Sequence, residues 1–377
     1  MKKNKTFKSK LLLVCLVLLL ITHFSFAQQY QENTIPKDGN IYLNPELGND
    51  HNSGTKGNPL KSLFEAARRL NQANGKGVIT IFLSEGLYGL GATVTFHPAN
   101  WHFTREGRLT IRAEILPDDA GWDPGKMPVI ISTMPLNFKP YGNEDGLGGT
   151  SYGIQIETSH VTIQGLRVLG SPLHERPKDG MVKRNYPIVR EGLNLDDLRV
   201  TQCLFIGDIH ATPNHLAILA SGQGVVVDHC VFYGVKDAVV FWFSDTPSEN
   251  SEMHHNLIVN IYGAAVWSWS VDKDFRYYNN VVADAEIFWV LDKEKNSNKT
   301  FNLSNSMVIG YNHFVNEGGG ASGFGTPANP KLLKYGKDVI IKKEGKVEIV
   351  KDPTSKYYLH LKPGTLGSEL GAGLFMN

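Results

Sequence analysis

Leu198-Arg199-Val200-Thr201-Gln202-Cys203-Leu204-Phe205-Ile206-Gly207 and Val225-Val226-Val227-Asp228-His229-Cys230-Val231-Phe232-Tyr233-Gly234 superimpose without a gap. Both carry valine third, cysteine sixth, phenylalanine eighth and glycine last. The frame recurs at 161–170, 251–260, 275–284 and 301–310, and the six starts are separated by 37, 27, 26, 24 and 26 residues. The third column reads Ile163, Val200, Val227, Met253, Tyr277, Leu303. The sixth reads Leu166, Cys203, Cys230, Asn256, Asn280, Ser306, and the eighth Val168, Phe205, Phe232, Ile258, Val282, Val308. Apolar residues at positions three and eight, with a turn between, predict two short strands facing one interior. The last column holds Gly170, Gly207, Gly234, Asn260, Asp284 and Gly310, residue types that tolerate a left-handed backbone, and so predicts a turn.

A third strand fits each interval. Residues 153–157 and 192–196 alternate apolar and polar side chains, and the same slot then reads 215–219, 237–241 and 263–267. Three strands per turn of about 25 residues, stacked in parallel, describe a β-solenoid, in which neighbouring coils bury each other's inward faces. Helical repeats would need apolar spacings of three and four, which are absent.

This pattern resembles the right-handed parallel β-helix of the pectate-lyase-like superfamily. Val227-Asp228-His229-Cys230 followed by Asp237 looks like a pectate lyase coil, and the step from Asn256 to Asn280 looks like the internal asparagine ladder of that fold. Ile41-Tyr42-Leu43-Asn44-Pro45, then Gly48-Asn49-Asp50, Gly54-Thr55 and Pro59-Leu60-Lys61-Ser62-Leu63, resembles the opening of secreted β-helix carbohydrate enzymes. Tyr358-Leu359-His360-Leu361-Lys362-Pro363-Gly364-Thr365 resembles their ending. The resemblance covers most of residues 40–372 and implies an all-β fold and a polysaccharide substrate. The chain departs from the pattern in lacking the calcium-ligand carboxylates and Arg-Pro segment of a pectate lyase and the paired-aspartate motifs of a polygalacturonase. No cofactor is therefore expected; calcium would suit the resemblance, but no ligand motif for it is found.

Outside the repeat, residues 60–74 are apolar at Leu60, Leu63, Ala66, Ala67 and Leu70, as in an amphipathic helix that caps the first coil within a cap of about 40–76. Early strands are expected at 77–83, 93–96, 109–115 and 128–132, an irregular C-terminal region at 318–377, and an edge hairpin at 339–350. Lys2, Lys3, Lys5, Lys8 and Lys10 precede an apolar run at 11–21 and Ser25-Phe26-Ala27, which reads as a signal peptide over 1–27 ahead of a single domain over 28–377. Export to the periplasm or medium follows, with no membrane association after cleavage and a monomer as the simplest state. Removing those five lysines from a Lys+Arg total of 38 leaves 33 against 37 acids, which disfavours nucleic acid as a partner. Cys203 and Cys230 have no zinc-ligand spacing and share an inward column, so free, buried thiols are expected and no metal is assigned.

Several side chains could carry chemistry. An insertion at 171–191 bears His174, Arg176, Lys178, Lys183, Arg184 and Arg190, a basic wall for an anionic sugar, with Arg184 and Arg190 its substrate-binding candidates. In the slot before the third strand, His215 and Asp237 fall one coil apart, with Lys236 beside them and His210 on the preceding turn. These four are the catalytic candidates, since a carboxylate beside an imidazole suits proton transfer. Phe241 with Trp267, and Phe243 with Trp269, are read as outward columns on which sugar rings stack. Glu286, Asp245, Asp272 and Asp292 are lesser carboxylate candidates, with Glu286 two coils from Asp237; His254 and His255 are read as structural. The expectation is a secreted enzyme that cleaves an acidic glycan by β-elimination. The alternatives are a glycoside hydrolase with paired carboxylates, or a noncatalytic glycan-binding solenoid.

Overall fold

The structure, a computed structural model, describes residues 35–134, 149–173, 182–190, 192, 194–211, 214–242, 248–272, 274–294, 299–318 and 325–376. The signal segment 1–27, His174, Arg176, Lys178, Phe243 and Asp245 lie outside them.

The chain is a parallel β-helix. Ten strands, from Asn40–Leu43 to Leu333–Tyr335, form one sheet in coil order, every neighbour parallel. Their inward residues are the third column: Ile163 pairs with Val200, Val200 with Val227, Val227 with Met253, Met253 with Tyr277 and Tyr277 with Leu303. The eighth column runs equally in register from Val168 through Phe205, Phe232, Ile258 and Val282 to Val308. All members of both columns are buried in one core, with the Phe205 and Phe232 rings stacked at 4.8 Å.

The second and third strands of each coil belong to one 15-stranded sheet. In the later coils they fuse into single strands, Leu257–Ser268, Val281–Asp292 and Met307–Gly318, that turn the corner without a break. The tenth column makes that corner. Gly170, Gly234, Asn260, Asp284 and Gly310 have φ between 52° and 66°. Gly207 is the exception; it has no left-handed backbone, and its lack of a Cβ serves close approach, since one would stand 2.4 Å from the Gly234 carbonyl oxygen. A second left-handed column, not expected from the sequence, occupies position five: Gly165, Gln202, His229, His255, Asn279 and Asn305, with φ from 40° to 75°. It closes the turn between the first and second strands.

Beneath that turn the sixth column satisfies its own backbone. Asn256 Oδ1 accepts from the Cys230 N–H at 3.1 Å, Asn280 Oδ1 from the Asn256 N–H at 3.0 Å, and Ser306 Oγ from the Asn280 N–H at 3.1 Å. The asparagine amides donate in turn to the Val227 and Met253 carbonyls. Buried backbone groups that leave a strand at a corner thus keep partners. Cys203 and Cys230 are free thiols in the same column, each with Sγ 3.3 Å from a backbone carbonyl oxygen. Burial raises the Cys230 thiol well above its ordinary pKa, and Cys203 adds to the shift.

The helix is Leu63–Gln72, capped by Ser62, whose hydroxyl accepts from the Glu65 N–H. It buries Leu63, Ala66, Ala67 and Leu70 and packs on Val94–Phe96 at the first coil. Two expectations are corrected. The third strand of the coil that begins at Val161 is Val182–Arg190, not residues 192–196: Ile188 pairs with Ile154 and Ile218, and the insertion itself supplies the strand. Residues 339–350 are no hairpin either. Ile340–Lys342 adds in parallel to Met307–Gly318 as a further coil, and Ile349 bridges Leu361 instead.

Phe232→Asp places an unpaired charge in a filled column and should cost more than about 4 kcal/mol, leaving no cooperative urea transition. Asn256→Ala, which strands the Cys230 N–H, should cost about 1–3 kcal/mol in the same measurement. Neither thiol should react with iodoacetamide in the folded protein at neutral pH; both should be alkylated once it is unfolded without reductant, as read by mass spectrometry.

Candidate functional site

Register decides which of the candidates meet. His215 pairs with Asn185 and Asp237 with Leu216, so the two candidates are offset by one residue and face opposite sides of the sheet. The His215 ring tucks beneath the tenth-column corner, where a Cβ on Gly170 would stand 2.9 Å from it. It is 3% exposed and neither ring nitrogen makes a hydrogen bond of normal geometry. Burial pushes its pKa down to about 4, partly opposed by the Ile206 backbone. The expected His215–Asp237 proton-transfer pair therefore does not form. His210 lies exposed on the preceding turn, its backbone N–H donating to Asp208 Oδ1 at 2.8 Å.

Asp237 keeps other company. Its carboxylate is buried, and Oδ1 accepts from the Ala264 N–H at 2.7 Å. Burial raises its pKa, while Lys236, the Ala264 N–H, the Trp267 side chain and Arg184 oppose the rise. Lys236 is half-buried; burial lowers its pKa, Asp237 opposes, and Arg184 lowers it further. Lys236 precedes Asp237 on its own coil and Arg184 lies two coils earlier, so the buried carboxylate feels positive charge from both. Gly263 passes over them with no room for a side chain, since a Cβ would lie 2.5 Å from both Asp237 Oδ1 and the Lys236 carbonyl oxygen.

The same offset re-sorts the aromatics. Trp267 pairs with Val240, and Phe241 with Ser268, so Phe241 and Trp267 do not share a column. Phe241 points inward, fully buried, with its ring 4.9 Å from Phe275, and cannot stack on a sugar. Trp267 and Trp269 sit in an outer apolar cluster with Tyr152, Tyr186 and Leu219, 5.3 Å from one another. Trp242, which the sequence reading passed over, stacks on Trp269 at 4.9 Å and is the partly exposed ring of the group. Alternation from Val240 points to it once the register is known.

Arg190 is also corrected. Its guanidinium is fully buried and donates to the Ser221 and Gln223 carbonyls at 2.8 Å each, bracing a turn rather than forming a basic wall. Burial lowers its pKa to about 10, opposed by Asp196 and Asp197.

Along the tenth-column corners runs a groove of ≈ 600 Å³ whose walls include Asp208, Tyr233, Asn260, Tyr262, Asp284 and Glu286. Glu286 accepts from the Asn312 side chain and lies 3.9 Å from His313 Nε2; it stands outside the Asp237 column, which continues to Ala264 and Ile287. Tyr262 joins the groove to the buried cluster. Burial raises its hydroxyl to about 12; the His215 backbone opposes this, and Asp237 and Asp208 add to it. Of the remaining acids, Asp272 pairs with Lys299 at 3.4 Å and Asp292 caps the Glu294 N–H at 2.8 Å. Among the described residues no helix is long and apolar enough to cross a membrane.

No protein-family model matches the chain, and no curated protein matches it. Among solved structures it is similar to a lacto-N-biosidase from Eubacterium ramulus at 12% identity, over 85% of this chain and 70% of that one, with a TM-score of 0.49. It is similar to a pectate lyase at 14% identity, over 88% and 91% of the two chains, with a TM-score of 0.42. A pectin methylesterase from Aspergillus niger matches at 14% identity, over 90% and 95%, with a TM-score of 0.40.

Burying neutral imidazoles makes stability depend on pH. His215 and His360 both have a folded pKa of about 4. The unfolded value is about 6.5. Between those values the unfolded chain binds more protons, so stability is full above the upper one and falls as pH drops toward the lower. The melting temperature should therefore decline between pH 6.5 and 4, and His215→Gln should make that decline shallower.

Proposed function

We propose that the chain is an exported carbohydrate-active enzyme that cleaves an acidic polysaccharide by β-elimination at the Lys236–Asp237–Arg184 cluster. The observation that carries this reading is the half-buried Lys236 next to the buried Asp237 carboxylate, its ammonium held below its ordinary pKa chiefly by burial and in lesser part by Arg184. Elimination from a uronate needs a base at C5, positive charge at the carboxylate and a proton for the departing oxygen. Lys236 fills the first role: once deprotonated, its amine takes the C5 proton as the C4–O bond breaks and the C4=C5 double bond forms. Arg184 engages the carboxylate, for which a planar guanidinium is suited. Tyr262, on the groove side of Asp237, supplies the proton to the leaving oxygen. Asp237, fixed by the Ala264 N–H, is the buried negative charge beside the base. Trp242, with Trp267 and Trp269 behind it, offers an apolar face to a sugar ring. His215 supports the corner, and His210 stays outside the cluster.

A second reading has its own observation. Among the described residues, the ≈ 600 Å³ groove counts Asp208, Asp284 and Glu286 in its lining and no lysine or arginine. Such a wall suits a neutral glycan and hydrolysis by two carboxylates.

Incubation with a panel of acidic and neutral glycans separates the two. Elimination yields the ultraviolet absorbance of an unsaturated end, and Lys236→Ala should lower that turnover roughly 10²–10⁴-fold while Glu286→Gln leaves it unchanged. New reducing ends without that absorbance, lost in Glu286→Gln and kept in Lys236→Ala, would establish hydrolysis in its place. Binding to a glycan without cleavage of any would make the chain a noncatalytic solenoid.

A further inference from the structure

The turn between the first and second strands carries a group that neither catalytic reading uses. His229 and His255 occupy position five in successive coils, both left-handed, and their rings stack at 4.6 Å with planes 7° apart. His254 precedes His255, and its ring lies flat on Tyr278 at 4.7 Å. The three histidines offer one ligand nitrogen each, all within 4.8 Å of one another, and none of the three is fully buried. We propose that His229, His254 and His255 bind a divalent transition-metal ion of the zinc type.

The surroundings of His229 support this. Its Nδ1 lies 2.9 Å from Oδ2 of Asp228, a buried carboxylate that also takes two bonds from Arg199 at 2.7 Å and one from the Thr201 hydroxyl at 2.9 Å. With Asp228 kept ionised by the guanidinium, the His229 ring proton belongs on Nδ1. That leaves the Nε2 lone pair for a ligand, the carboxylate–histidine arrangement behind most metal-bound imidazoles. The other two rings approach with Nδ1 to Nδ1 at 2.9 Å. An imidazole N–H of one ring donates to the bare nitrogen of the other; on binding that hydrogen gives way to the ion and moves to the far nitrogen of its ring, which for His255 requires the Asn279 amide, 2.7 Å from Nε2, to present its oxygen. A tetrahedral metal bonded at about 2.1 Å holds its nitrogens about 3.4 Å apart, so side-chain shifts of less than about 1 Å close the triangle.

Three imidazoles select zinc, cobalt, nickel or copper over calcium and magnesium, which take oxygen ligands. Three protein ligands leave a fourth position to water. The coils at 225–234 and 251–260 supply all three, so the ion pins one to the next. The His255 carbonyl also accepts from the Gly373 N–H at 2.9 Å, which puts the edge that carries the C-terminal segment under the same restraint. Sequence spacing hides the site, because the ligands converge only when coils stack.

The test uses the untagged protein, stripped with chelator and titrated calorimetrically with Zn²⁺. One ion per chain should bind, the melting temperature should rise with Zn²⁺, and Ca²⁺ and Mg²⁺ at the same concentration should leave it unmoved. His229→Gln and His255→Gln should each weaken binding at least tenfold and abolish the rise in melting temperature. Co²⁺ gives a readout that needs no variant: the intense visible bands of a four-coordinate ion are expected, whereas the weak spectrum of a hexahydrated one would overturn the site. So would the absence of saturable Zn²⁺ binding, or binding unchanged in the double variant.

Discussion

Every coil of this molecule has an inward face that it cannot bury alone. The structure depends on that constraint, which neighbouring coils meet by stacking in register. The third and eighth columns show it directly, each a run of apolar side chains in contact from one coil to the next. The corners follow from the same demand. A strand that must turn within one residue needs a left-handed backbone, and glycine, asparagine or aspartate supplies it at the tenth position. At the fifth position Gln202, His229 and His255 accept it as well, at some conformational cost, and the two histidine rings stack. The histidine trio is a by-product of that stacking.

Register also governs the outer face. One residue of offset between the coils of His215 and Asp237 sends the imidazole under a corner and the carboxylate out toward Lys236 and Arg184. The same offset turns Phe241 into the core and leaves Trp267 outside. A sheet whose two faces are both covered, one by the core and one by an aromatic cluster, gives ionisable groups a low-dielectric setting. The shifts at Asp237, Lys236 and Tyr262 have that origin, burial being the largest cause for each.

What the sequence disclosed follows from where spacing is constant. The ten-residue units align without gaps because the turn inside them has fixed length, so both inner columns, the asparagine ladder and the paired thiols were legible. The third strands begin at variable distances. Eleven residues separate Gly207 from the inward Ile218, and five separate Gly234 from Val239. With no fixed spacing to carry the phase, alternation alone left two registers, and the wrong one paired His215 with Asp237. Residues 192–196 misled for a related reason: alternating apolar and polar residues occur in a turn as readily as in a strand. Tyr262 and Trp242 gave no signal apart from the register. Lys236 and Arg184 were visible as charges, but nothing in the sequence indicated that both act on the buried Asp237.

The long interval between the first two units has a consequence for how the chain folds. Each strand finds its partner about one coil away, so strand pairing is a series of loop closures, and it is the C-terminal segment that must return to early coils, as in the contact of Met376 with Asp118. The coil that begins at Val161 spans 37 residues where the four that follow it span 24 to 27. Closure entropy grows only with the logarithm of length, so the extra residues add about 0.3 kcal/mol to that step. A solenoid can lengthen one coil to carry new side chains, as this one does to present Arg184, with almost no kinetic penalty.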